Sequence, residues 1–248
     1  MRFASMSLWL AAACGRLDFG GAAHDAATRD AIDGTAMIDA DGGCPGFALF
    51  CDGFESGDLS KWTAEDLPAS QQVTADAHYT GMYGLDSAVG SDQGAGGEGD
   101  VYLVPGQTFA TGTLAVREWV YSPAQLVNYI GTLEVTLGAP ATASQYLEVN
   151  ANDVGAWSLS EFGSAGLHDQ PGGIVAATAT WTCVELVVEL GSAASATIYV
   201  DGAASSQGAL SNTGDSYDTI AVGVTRANAG GFEIFIDDVA IATQRIGC

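Results

Sequence analysis

From Ala48 to Cys248 the chain repeats one theme: runs of five to nine residues rich in β-branched and aromatic side chains, each closed by Gly, Asp, Asn or Ser. Such runs are half-buried strands and their turns. The readable strands are ALFCDGF, MYGLDSAV, VYLVPG, GTLAVREWVY, GTLEVTLG, QYLEVNA, GAWSLSEF, TWTCVELVVEL, ATIYVDG, DTIAVGVT and GFEIFIDDVAIA. Alternation is clean over 183–190, where Val184, Leu186, Val188 and Leu190 share one face and Glu185 and Glu189 the other. That pattern belongs to an antiparallel sheet with one face on a core. Turns at Asn150–Gly155 and Asp201-Gly202 close hairpins. Outside Pro123–Asn128, no stretch shows helical periodicity long enough to cover a sheet. Two sheets must therefore cover each other.

Composition narrows the function. The 248 residues carry 30 Asp+Glu against 7 Lys+Arg, a formal net charge of −23. Nucleic-acid partners are excluded, because neutralising several phosphates takes a cluster of cations that seven scattered ones do not form. With 48% hydrophobic and 15% charged residues, the chain has the material for a core, and disorder over its whole length is excluded.

The amino terminus reads as an address. Met1-Arg2 is followed by an apolar or small run from Phe3 to Ala13, ending at Cys14 in LWLAAAC. The run is shorter than the roughly 20 residues a bilayer span needs and suits the h-region of an export signal. It resembles a bacterial lipoprotein signal, with residues 1–13 removed and Cys14 lipidated, although Ala11 stands where such boxes carry Leu. The alternative is an ordinary secretory signal cut at the same alanines. Either way the mature chain is extracytoplasmic, lipid-anchored to the cell envelope or secreted, and meets a membrane only through the anchor. Residues 14–43 hold six Asp among many Ala and Gly and form a solvated linker. The fragment Asp39–Gly42 lacks the further acids of a calcium loop.

Setting Cys14 aside leaves four cysteines in an oxidising compartment, hence two disulfides. Cys44 just precedes the first strand and Cys248 just follows the last. If those strands pair antiparallel, Cys44–Cys248 and Cys51–Cys183 result; a local Cys44–Cys51 loop competes. The spacing has no C-x-x-C and the three His are isolated, so no zinc site is formed.

The segments FCDGFESGDLSKW (Phe50–Trp62), TGMYGLDS (Thr80–Ser87), WTCVELVVEL with IYVDG (Trp181–Gly202) and IDDVAIATQRIGC (Ile236–Cys248) resemble concanavalin A-like jelly rolls. The middle is similar to laminin G-like domains and the two ends to MAM domains. The resemblance covers nearly all of 44–248 and implies an all-β, two-sheet antiparallel jelly-roll sandwich. It is weak for ligand, since this architecture hosts lectins, glycosidases, lyases and adhesion modules.

Four carboxylates stand out. Asp52 and Glu55 belong to the first strand and its turn, Asp237 and Asp238 to the last. Were they to converge, a cation would have to neutralise them, and Ca²⁺ takes oxygen ligands of this kind. The apolar pattern of the last strand changes phase at Asp237-Asp238, which predicts a bulge. The resemblance also implies a structural calcium in this region. For a sugar, Arg117, Trp119 and Tyr121 share a face of one strand; Tyr79, Tyr83, Tyr129, Tyr146 and Trp157 lie in or near other strands and loops. Trp62 and Trp181 read as core.

Catalytic signals are thin. Glu185 and Glu189 share a face but lie roughly 13 Å apart along the strand, beyond the spacing of a glycosidase pair. The Glu-x-Asp-x-x-Glu pattern of jelly-roll glucanases is absent, and His78 and His168 are isolated. Gly94–Gly99 matches G-x-G-x-x-G, but strand residues and Pro105 follow it where a helix should start. The expectation is therefore a calcium-stabilised binding module that recognises a carbohydrate or glycoprotein, and a neutral glycan because an acidic domain repels anionic polymers. A polysaccharide-degrading enzyme on the same fold, and an adhesion protein without small ligand, are the alternatives.

Overall fold

The computed structural model describes residues 44–65, 71–90, 97–228 and 230–248. The signal and linker assigned to residues 1–43, Cys14 among them, and the Gly94–Gly96 part of the glycine run lie outside these residues.

Two antiparallel sheets, with strands numbered in chain order, form the sandwich. The path of the first runs β13 (Ala203–Ala209), β12 (Ser195–Val200), β11 (Thr182–Leu190), β6 (Gly112–Tyr121), β15 (Phe232–Ala242), β4 (Gly84–Val89) and β3 (Gln71–Thr74). An eighth strand, β1 (Phe50–Asp52), also pairs with β15. The second sheet has seven strands: β10 (Gly166–Gln170), β9 (Trp157–Gly163), β8 (Tyr146–Ala151), β7 (Ile130–Thr136), β14 (Thr219–Ala227), β5 (Gly97–Leu103) and β2 (Ala64–Glu65). Pro123–Asn128 forms no helix; the described helical segment is a single 3-10 turn at Pro140–Thr142.

Alternating side chains build the core as the sequence requires. Leu114, Val116 and Val120 of β6 and Val184, Leu186 and Val188 of β11 join Leu133, Val135, Leu147, Val149, Ile220 and Val222 of the facing sheet in one buried cluster. Each such side chain contributes about 1.5–3 kcal/mol on burial. The β12–β13 hairpin turns at Asp201 (φ 49°) and Gly202 (φ 83°), the paired left-handed residues of a two-residue hairpin.

The first and last strands pair antiparallel, with Phe50 opposite Ile241 and Asp52 opposite Val239. The bulge expected in the last strand is present: the β15–β6 register shifts between Asp237 and Ala240, and Asp238 adopts φ 46°. The cross-linked strand tips are not. The disulfides are Cys44–Cys51 and Cys183–Cys248, so the local alternative holds and the end-to-end pairing fails. The reason lies in the tail. After Ala242 the chain crosses the outer face of the eight-stranded sheet, where Glu185 accepts the N–H groups of Ile246 (2.5 Å) and Gly247 (3.2 Å). Arg117 donates to Gly247 O (3.3 Å) from beneath. Cys248 is thereby carried to Cys183, and Cys44 is left to close the seven-residue loop to Cys51.

One core position is polar. Glu118 occupies the inward phase of β6 between Val116 and Val120, is fully buried, and accepts from Thr132 Oγ1 of the opposite sheet at 2.7 Å. Burial pushes its carboxyl well above the ordinary 4.5, against the smaller effect of the Thr132 bond. A raised carboxyl pKa contributes its full stability below pH 4.5, and that contribution is lost as pH rises toward the folded-state value. Wild type is therefore expected to lose stability relative to Glu118→Gln above pH 4.5, by up to about 1.4 kcal/mol per pH unit. Urea unfolding of both proteins at pH 4 and pH 8 measures this; the gap between them should widen in favour of the variant at pH 8.

Candidate functional site

The outer face of the eight-stranded sheet carries the row Arg117, Trp119, Tyr121. Arg117 is buried under the tail and donates to Asp238 O and Gly247 O. Burial lowers its pKa, and the charges of Asp238 and Glu185 oppose that. Trp119 lies under Tyr79, their rings stacked 3.6 Å apart. Trp181, expected in the core, sits instead on this outer face, tilted against Tyr79 and Tyr121. Trp62 is a core residue, its Nε1 donating to Asp52 Oδ2 at 2.9 Å.

The four carboxylates divide three to one. Asp52 is fully buried among Lys61 Nζ (3.1 Å), the Trp62 indole and the Phe54 N–H. The other three hold the 79–83 segment. Asp237 accepts from Tyr79 N (2.7 Å) and Thr80 N (3.0 Å), Asp238 from Thr80 Oγ1 (3.0 Å), and Glu55 from Met82 N (2.8 Å) and Tyr83 N (2.9 Å). Burial and the adjacent Asp238 charge push Asp237 up to about 7. Burial also raises Asp238, with a smaller contribution from Glu55. The oxygens are hard ligands of the kind Ca²⁺ takes, yet among the described residues no group of three His, Cys, Asp or Glu is arranged to hold a metal ion.

The seven-stranded sheet bears a cleft on its outer face, about 280 Å³, lined by Tyr129, Tyr146, Glu148, Ser160, Asp169 and Arg226 with Leu167 and Asn228. Strand alternation builds it. In β8, Leu147 and Val149 enter the core, so Tyr146, Glu148 and Asn150 point outward; in β9, Trp157 and Leu159 enter, so Ser158, Ser160 and Phe162 point outward. Trp157 is thus 1% exposed in the core, which removes it from any ligand surface, whereas Tyr146 stands in the cleft. Register then aligns Glu134, Glu148, Ser160 and Asp169 in one row across β7, β8, β9 and β10.

Arg226 organises this row. Its guanidinium lies 4.7 Å from the Tyr146 ring centroid, donates to Tyr146 Oη at 2.9 Å and pairs with Glu148 at 3.8 Å. Tyr146 stacks on Phe162 at 5.4 Å. Ser160 Oγ donates to Asp169 Oδ1 (2.6 Å) and receives Asn150 Nδ2 (2.9 Å). Asn128 (φ 65°) and Tyr129 (φ 58°) are consecutive non-glycine residues in the left-handed region, a strained backbone that sets Tyr129 at the cleft. The alternation of YLEVNA could have placed Glu148 beside Tyr146 from the sequence. Arg226 could not be placed that way, because the β14–β7 register shifts between Val222 and Arg226.

No protein-family model and no curated protein matches the sequence. Solved structures do resemble the fold. A cellulose-induced protein, Cip1, aligns with TM-score 0.63 and 16% identity over 80% of this chain and 99% of its own. An endo-β-1,4-glucuronan lyase from the fungus Trichoderma reesei aligns with TM-score 0.59 and 12% identity, over 79% and 96%. Domain 4 of AbnA, a GH43 extracellular arabinanase from Geobacillus stearothermophilus solved with arabinotriose, gives TM-score 0.50 and 18% identity, over 78% and 91%. The chain is a two-sheet jelly-roll sandwich, and these similarities show that fold alone.

Proposed function

We propose that the protein is an extracytoplasmic carbohydrate-binding module that takes a neutral glycan, free or on a glycoprotein, in the cleft of the seven-stranded sheet. The observation that carries this is a cleft in which Tyr146 and Tyr129 stand beside a row of hydroxyl, carboxylate and guanidinium groups, with the exposed Phe162 stacked on Tyr146 next to it. A sugar ring has an apolar C–H face for such rings and hydroxyls for such polar groups. The similar folds whose descriptions name cellulose, glucuronan or arabinotriose support a carbohydrate ligand. Charge favours a neutral one: Glu134, Glu148 and Asp169 outnumber Arg226, which Glu148 already engages. Titration calorimetry at low salt, with cello-, xylo- and arabino-oligosaccharides and with oligoglucuronates, tests the reading. At least one neutral series binds and the glucuronates do not. Phe162→Ala and Tyr129→Ala each weaken binding about tenfold or more, ~1.4 kcal/mol. No binding across the panel, or unchanged affinity in both variants, rejects the cleft.

One observation favours hydrolysis as a second reading. Glu134 and Glu148 are direct partners on neighbouring strands, where Cβ atoms lie about 4.5–5.5 Å apart, close to the carboxyl spacing of retaining glycosidases. Release of reducing ends from the bound saccharide, abolished by Glu148→Gln, would establish it; binding without release leaves a module.

A structural calcium belongs to the same proposal; to hold it, Glu55, Asp237 and Asp238 would have to draw closer together than the structure places them, with Asp52 left to Lys61. The ion would add to the positive charge that Arg117 brings near Asp238. After chelation, excess Ca²⁺ should raise the melting temperature, and Glu55→Gln should remove that rise; a wild type indifferent to calcium removes the ion from the proposal. The two disulfides support an oxidising compartment, and an anchor on Cys14 completes the reading. Detergent phase partitioning checks it: the wild type enters the detergent phase and Cys14→Ser stays aqueous, while equal partitioning would exclude the lipid.

A further inference from the structure

We propose a calcium site at the β9–β10 turn, built from Glu161, Asp215, Gln145 and Tyr217, separate from the first- and last-strand acids. Glu161 takes the inward phase of β9 after Trp157 and Leu159 and is fully buried. Its two oxygens accept Ser211 N (2.9 Å) and Asn212 N (2.6 Å), so the loop after β13 folds around a buried negative charge. Asn212 Oδ1 in turn accepts Ala165 N (2.5 Å), tying that loop to the β9–β10 turn. Asp215 enters the same place, only 7% exposed, with Oδ1 accepting Gln145 Nε2 at 3.0 Å.

Three oxygens here have no hydrogen-bond partner: Asp215 Oδ2, Gln145 Oε1 and Tyr217 Oη, and Tyr217 is fully buried. Among the described residues neither Glu161 nor Asp215 has an ion pair; the ion pairs found involve Asp52, Glu148 and Glu185. Gly163 lets these groups close in on the backbone: a Cβ there would stand 2.6 Å from Asp215 Oδ2 and 2.7 Å from the Asn212 side-chain amide carbon, closer than packed atoms approach. The electrostatics agree. Burial and then the Glu161 charge raise Asp215, and burial followed by the Asp215 and Glu161 charges raises the Tyr217 hydroxyl.

Two carboxylates with neutral amide and phenol oxygens, and no sulfur or imidazole, select a hard cation. Three separate segments supply the ligands, a flexible arrangement that suits Ca²⁺ over Mg²⁺, which demands near-ideal octahedral geometry. Extracellular modules hold calcium at about 10⁻⁴–10⁻³ M, so the ion would bind in a calcium-rich exterior and cross-link the three segments. This reading stands whether or not the cleft binds a glycan.

Terbium luminescence excited through the aromatic rings tests the site on the full chain, in a Glu55→Gln background that disables the other proposed calcium position. Emission should rise on adding Tb³⁺, fall when excess Ca²⁺ is added, and persist in excess Mg²⁺. Asp215→Asn, which keeps the side-chain shape, should weaken terbium affinity at least tenfold. Gly163→Ala, whose methyl group would push the Asp215 and Asn212 side chains aside, should do the same. Cooperative melting in chelator confirms that each variant folds, and if Gly163→Ala does not, Asp215→Asn decides alone. Absence of calcium-displaceable emission in the Glu55→Gln protein, or its retention in folded Asp215→Asn, overturns the proposal.

Discussion

The hydrogen bond from a backbone N–H to a carboxylate orders most of what lies outside the strands. With 30 acids and 7 Lys+Arg, most carboxylates in this chain have no side-chain cation to pair with. Five of the carboxylates take main-chain donors, Asp52 and Glu185 in addition to a cation. Asp52 holds Phe54, Glu55 holds Met82 and Tyr83, Glu161 holds Ser211 and Asn212, Glu185 holds Ile246 and Gly247, and Asp237 holds Tyr79 and Thr80. Charge-assisted bonds of this kind are about twice as strong as neutral ones. They also satisfy loop donors that would otherwise be costly to bury. An acidic composition that reads as a solubility device is thus, at these five positions, the means by which loops and tail are fixed.

Strand β15 shows how one irregularity distributes such anchors. Its first half, Phe232–Ile236, pairs with β4, and its second, Val239–Ile241, with β1, while β6 runs along the other side of both. The bulge at Asp237–Ala240 separates the halves. A regular strand would alternate Asp237 and Asp238 between core and exterior, burying one of them among Ile236 and Val239. The left-handed Asp238 avoids that, and both side chains reach Thr80.

Much of this was legible from residue types, and the failures have physical causes. The eleven strands named from the sequence are all present, because all but the three-residue β1 are central or long strands with a core phase marked by Val, Ile or Leu. Missing were β2, β3, β10 and β13. All four lie at sheet ends, and segments such as QQVT, GLHDQ and AASSQGA carry little apolar alternation to betray them. Trp157 was assigned to the ligand surface by residue type, although its phase with Leu159 against Ser158 and Ser160 puts it in the core. Tyr146, named for the same reason, lines the cleft because its phase with Glu148 turns it away from the core. The disulfides were misjudged because the six residues after β15 have no strand pattern, and nothing in TQRIGC shows that Glu185 will fold them back. Arg226 carries no signal in the sequence, because its part in the cleft depends on a register shift that no periodicity marks.

The same tail decides which sheet can serve a ligand. On the eight-stranded sheet the row that looked suited to a sugar is closed by the protein itself. Cys248 is bonded to Cys183, Gly247 lies over Arg117, and Arg245 covers Tyr199 with its guanidinium 3.7 Å from the ring centroid. Tyr79, held by Asp237, covers Trp119. On the seven-stranded sheet the corresponding central strands carry Tyr146, Glu148 and Ser160 into a cleft with Phe162 exposed beside it. What separates the two faces is that one received the chain's own C-terminus, so that Arg117 and Glu185 hold the tail, while Arg226 and Glu148 line a cleft.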